Sequence, residues 1–158
     1  MKTKFLLFLV VSIIFFSVSC KKDEKTNIKS GVTNISYGIS FGECMGYCRN
    51  QMEIEQTKVT LISLSWDTVN YPKIQCQKYI STEKWNELES LVNSISFNSL
   101  DSVYGCPDCA DGGAEWVEIT TSDWKHKVTV EYMSDQPAVL KNLLDSLREL
   151  KAILKECE

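Results

Sequence analysis

The chain has 158 residues, with 17 Lys and Arg against 21 Asp and Glu, 44% hydrophobic residues and 24% charged ones. That length accommodates one compact domain with a short appendage, and the composition is ordinary for a folded globular chain, which excludes wholesale disorder. A formal net charge of −4 argues against nucleic acid as a partner, because no surplus of cations is present to neutralise phosphates. Seven cysteines, an odd number, then require an explanation.

Lys2 and Lys4 precede an apolar run over residues 5–16. It is too short to cross a bilayer as a helix, which takes roughly 20 residues. A basic start, a short apolar run and the small residues Ser17-Val18-Ser19 form the layout of a secretory signal peptide. The layout ends at Cys20, followed by Lys21-Lys22-Asp23-Glu24-Lys25. This segment resembles a bacterial lipobox, with Ser17 standing where that family usually carries Leu. Lys22-Asp23-Glu24 is similar to the run that follows the cysteine in surface lipoproteins of the Bacteroidota type. The resemblance covers residues 1–25 and implies removal of residues 1–19, acylation (palmitate or a similar chain) of Cys20, and delivery to the outer membrane. It further implies display on the cell surface, or else a periplasm-facing position.

Residues 20–33 are polar and lack periodicity, as a flexible tether behind a lipidated cysteine should. Loss of residues 1–19 takes away two lysines and no acid, leaving a mature charge of −6. An anionic membrane surface repels such a chain, so the lipid must hold it. Each acyl chain contributes about 0.8 kcal/mol per buried methylene, and several together anchor stably.

The domain then occupies residues 34–158. Ile35, Tyr37, Ile39 and Phe41 alternate with Asn34, Ser36, Gly38 and Ser40, which predicts a half-buried strand. Met52 and Ile54 against Glu53 and Glu55 predict a second. Val59 and Leu61 lie on one phase and Ile62, Leu64 and Trp66 on the other, a slip that predicts a bulge near Leu61-Ile62. A fourth strand is expected from about Ile74 to Ile80. Ser81 reads as an N-cap, with Ile80 and Trp85 forming a hydrophobic staple. Trp85, Leu88, Leu91, Val92 and Ile95 recur at helical spacing, predicting a helix over 82–94. Residues 97–113 read as a loop. Val117 and Ile119, then Val128, Val130 and Tyr132, predict two strands joined as a hairpin through Thr121-Ser122-Asp123. Leu140, Leu143, Leu144, Leu147, Leu150, Leu154 and Cys157 share one face of a final helix entered after Asp135-Gln136-Pro137. The sum is a single α+β domain: an antiparallel sheet of about five to six strands with two amphipathic helices on one face.

If Cys20 carries lipid, six cysteines remain: Cys44, Cys48, Cys76, Cys106, Cys109 and Cys157. An even number in an exported chain points to disulfides. Six cysteines allow fifteen connectivities, and the sequence does not choose among them. Local pairing of Cys44 with Cys48 and of Cys106 with Cys109 leaves Cys76 for Cys157. As an alternative, Cys44, Cys48, Cys106 and Cys109 supply four thiolates for a tetrahedral zinc. A thiol-redox role for Cys106-Pro107-Asp108-Cys109 is disfavoured, since Ala110-Asp111-Gly112-Gly113 does not open a helix and the nearby acids raise a thiol pKa. Asp108, Asp111 and Glu115 around two glycines offer oxygen ligands, but the spacing departs from the EF-hand pattern.

Gly38-Ile39-Ser40-Phe41-Gly42 matches the nucleophile-elbow pattern, yet its serine lies within an alternating strand, so the match reads as chance. His126, the only histidine, reads as an exposed turn residue between Lys125 and Lys127. Trp124 is expected at the surface, and Trp66, Trp85 and Trp116 in the core. No catalytic constellation emerges, so the catalytic set is empty and no resident cofactor is expected unless the zinc alternative holds. The expectation is a lipid-anchored, non-enzymatic module that binds a protein or glycan, or serves a structural role; the alternative is a zinc-binding or thiol-redox protein using the Cys44/Cys48 and Cys106/Cys109 clusters.

Overall fold

The computed structural model describes residues 31–134, 136–155 and 157. The signal peptide, Cys20, most of the tether and Asp135 lie outside them. Among the described residues, seven strands form one sheet: β1 (Val32–Ser40), β2 (Arg49–Glu55), β3 (Lys58–Leu64), β4 (Ile74–Tyr79), β5 (Val103–Tyr104), β6 (Ala114–Thr121) and β7 (Lys125–Glu131). Two helices, α1 (Thr82–Asn93) and α2 (Lys141–Leu154), complete a single α+β domain. The sheet order is β4-β3-β2-β1-β6-β7-β5. Every pairing is antiparallel except β5 with β7, which is parallel, so the sheet is mixed and has one strand more than the upper expectation. Strand β5 pairs through only Val103 and Tyr104, too short a stretch for periodicity to betray it.

Register explains the two faces. Residues directly opposite one another point to the same side. Ile35 faces both Ile54 and Ile119, and Tyr37 faces Met52 and Val117. These side chains are buried with Val59, Leu61, Val128 and Val130 beneath Trp85, Leu88 and Val92 of α1 and Leu143, Leu144, Leu147 and Leu150 of α2. Both helices therefore cover the same face. Ser81 caps α1 by accepting from the Lys84 N–H at 3.2 Å, and Ile80 packs against the core to which Trp85 belongs.

The expected bulge at Leu61-Ile62 is absent: β3 pairs in continuous register with β2 and with β4. Its apparent phase slip arises because apolar residues occupy both faces, with Val59 and Leu61 on the helix side and Ile62 and Leu64 half-buried on the other. The register shift lies instead between Val32 and Asn34, where β1 meets β6. Strand β1 also starts two residues earlier than its alternation suggests, with Val32 buried.

The six remaining cysteines sit as three close pairs compatible with disulfides. Cys44 and Cys48 have Cα atoms 5.6 Å apart, Cys106 and Cys109 5.5 Å, and Cys76 and Cys157 5.8 Å. The last pair ties edge strand β4 to the chain beyond α2. It spans 81 residues, for which a chain-entropy estimate gives about 4.5 kcal/mol.

Candidate functional site

Among the described residues, two surfaces and one buried network gather polar and aromatic groups that could form a site. The first surface is the end of the sheet opposite Val32. Strand β1 finishes there at Ser40, β3 at Leu64 and β7 at Glu131, while β2, β4 and β6 begin there. Their connecting loops gather around Phe41. The Phe41 carbonyl accepts from Trp66 Nε1 at 3.2 Å, and the Phe41 ring meets Tyr132 edge-on at 5.2 Å. Gly113 presses against that ring at φ +86°; a Cβ there would lie 2.5 Å from Phe41 Cε1. The Gly42 N–H donates to Asp108 at 3.0 Å, linking the two loops that hold the short-range cysteine pairs. Tyr47 donates to the Pro72 carbonyl at 3.0 Å and packs edge-on against Tyr71. Out of this braced cluster project Met45, 97% exposed, Val69, 88%, and Trp66, 66%. Trp66 is thus a surface residue, not the core residue its place after a strand suggests.

The second surface is the sheet face that neither α1 nor α2 covers. Trp116 lies on it, opposite Gly38 and Thr129. It is buried as expected, but by its neighbours on the open face and not by the helices. The indole rests on Gly38, where a Cβ would come within 2.1 Å of the ring. The Arg49 guanidinium stands 4.9 Å and the Lys127 ammonium 4.6 Å from the ring centroid, a double cation–π contact. Nearby, Glu53 is fixed by three donors: Asn34 Nδ2 at 3.0 Å, the Ser36 hydroxyl at 2.8 Å and Gln51 Nε2 at 2.7 Å. Glu118 pairs with Lys125 at 2.8 Å.

The buried network lies between sheet and α2. Glu115 is wholly buried, accepting from the Tyr37 hydroxyl at 2.6 Å and from Arg148 Nε at 2.8 Å, while Arg148 Nη2 engages its second oxygen. Burial and then the Glu115 charge push the Tyr37 hydroxyl far above the ordinary tyrosine range. Arg148 also donates to Asp145, which pairs with Lys141 at the surface. Both carboxylate oxygens of Glu115 are occupied, so this network fastens α2 to the sheet and offers no free group for chemistry.

The residues that drew attention in the sequence are placed as follows. Asp108 caps Gly42 while Glu115 points to the buried face, so the acidic loop does not gather its carboxylates on one ion. Cys44, Cys48, Cys106 and Cys109 pair with one another; among the described residues no group of three or more His, Cys, Asp or Glu side chains is placed to hold a metal. Ser40 pairs with Arg49 and Ala114 at a strand end, with no helix behind it. His126 is a half-buried strand residue, its Nε2 2.9 Å from the Leu100 carbonyl and its ring edge-on to Phe97. Trp124 is half-buried too, stacked on Phe97. Both rings are drawn inward because the turn around Phe97 folds back over the β6–β7 hairpin.

The grouping of Arg49, Trp116 and Lys127 did not emerge from the sequence. Its one signal was Gly38 inside a strong strand pattern, since glycine in a strand marks a close approach. No family model matches the chain, and no curated protein matches it either.

Proposed function

We propose that the chain is a lipid-anchored, exported binding module that meets its partner through the braced loops around Phe41. The observation that carries this reading is the opposition of the two ends of β1. The chain enters the sheet at Val32, on the side a tether from Cys20 would reach, and the exposed aromatic cluster stands beyond Ser40. A nine-residue strand separates them by about 27 Å. A protein anchored at Cys20 would therefore hold Met45, Trp66 and Val69 away from the membrane.

A protein partner fits these groups better than a glycan. Aromatic and methionine side chains are enriched at protein interfaces, and Met45 and Val69 give a sugar nothing to hydrogen-bond. Two short disulfides and the Phe41 cluster hold the loops in place, which lowers the ordering cost of association. Photo-crosslinking in intact cells tests the reading. A photoreactive residue at position 45 or 66 should capture one defined product that positions 56 and 122, at the opposite end, do not. Equal capture from both ends, or none from the loops, overturns it.

A further inference from the structure

On the open sheet face, Arg49 and Lys127 approach the same indole, and neither forms an ion pair among the described residues. The nearest carboxylates already have partners. Glu118, directly opposite Lys127, pairs with Lys125 and attracts Lys127 without forming an ion pair with it, and Glu53 accepts from Asn34, Ser36 and Gln51. Arg49 Nε is buried without a hydrogen-bond partner, an uncommon state for a guanidinium donor. The two cations also repel. Lys127 is held below the ordinary lysine range, first by loss of water around it and next by the charge of Arg49.

We infer that Arg49 and Lys127, seated over Trp116, form a binding site for an oxyanion, a carboxylate or sulfate group of a larger ligand. An arginine offers such a group two donors in a planar fork, and the lysine adds a point charge from the second side. The arriving anion removes the repulsion between the cations. Trp116 is the floor, and Gly38 keeps that floor flat against the sheet. The site stands independently of the loop cluster and holds whether or not those loops bind a protein.

Titration of the full-length chain with sodium sulfate, and separately with sodium acetate, at constant ionic strength in chloride provides the test. Intrinsic fluorescence, with Trp116→Phe to identify the signal, should change saturably with sulfate or acetate and not with chloride. Lys127→Gln should weaken the midpoint at least fivefold, and Lys127→Gln with Arg49→Gln should abolish the response. In the unaltered chain, the Lys127 ammonium followed by NMR should titrate at higher pH in sulfate than in chloride. A stronger response to one anion identifies which group the ligand carries. A sulfate and acetate response no different from chloride, or an unchanged midpoint in the folded double variant, overturns the proposal. An unmoved Lys127 titration also overturns it.

Discussion

Gly38 on β1 and Trp116 on β6 face one another across the sheet, and the indole occupies the space a Cβ at position 38 would need. Glycine in a strand is normally a weakness, from its backbone entropy and missing side chain. Here it is what allows a tryptophan to lie down on the open face and support two cations. Gly38→Ala should cost about 1–3 kcal/mol, as forced overpacking does. The test is a double-mutant cycle by urea denaturation. Gly38→Ala combined with Trp116→Ala should cost less than the sum of the single changes by about 1 kcal/mol or more. Strict additivity would mean that the ring is not the obstacle.

Glu115 is the second residue whose partner decides its effect. Arg148→Met removes the cation from a wholly buried carboxylate and should destabilise by about 3–5 kcal/mol. Tyr37→Phe leaves Glu115 its arginine and should cost only about 1–2 kcal/mol. Equal costs for the two variants, measured by the same denaturation, would contradict this ranking.

Tyr37 also gives a pH signature. Its folded pKa is raised, so the native state keeps a proton that the unfolded chain gives up near the ordinary tyrosine value of about 10. The associated stability is therefore present below that pH and lost as pH rises above it. Stability between neutrality and pH 11 should fall more steeply in the unaltered chain than in Tyr37→Phe. Parallel curves would remove Tyr37 as a cause of alkaline unfolding.

The three cysteine pairs should differ in weight. In the chain-entropy account a long loop gains more than a short one, about 4.5 kcal/mol for the Cys76–Cys157 span against about 2 for either local pair. Replacing Cys76 and Cys157 by alanine should lower the thermal midpoint more than replacing Cys44 and Cys48. The reverse order would show that the Cys44–Cys48 loop stabilises the fold through packing and not through chain constraint.

Much of this fold was legible because period and position agreed. The alternation of Ile35, Tyr37 and Ile39 located β1, and Ser81 followed by Trp85 located the start of α1. The failures share a cause. Trp66 is a large apolar residue that hydrophobicity alone sends to the core, yet it projects from a loop. His126 and Trp124 look like hairpin surface until the Phe97 turn folds over them, a contact between segments far apart in sequence. Glu115 shares the parity of Val117 and Ile119, but with the strand expected only from Val117 it reads as a carboxylate of the acidic loop and not as a buried residue. Its partner Arg148 lies 33 residues on, at a distance no local pattern spans.

The anchoring proposal makes a cellular prediction. Cys20→Ala should release the chain from membranes into the soluble fraction on fractionation. Retention of that variant in washed membranes would mean that something other than a lipid on Cys20 holds it.

Of the seven cysteines, one serves the lipid and six the fold in the proposed mature protein. Mass spectrometry of the protein extracted from membranes, alkylated with and without prior reduction, tests that division most directly. We predict a chain beginning at Cys20 and carrying acyl mass, with no alkylation before reduction, six alkylated cysteines after it, and no bound metal. A chain that retains residues 1–19, an unmodified Cys20, or free thiols among the other six would contradict it.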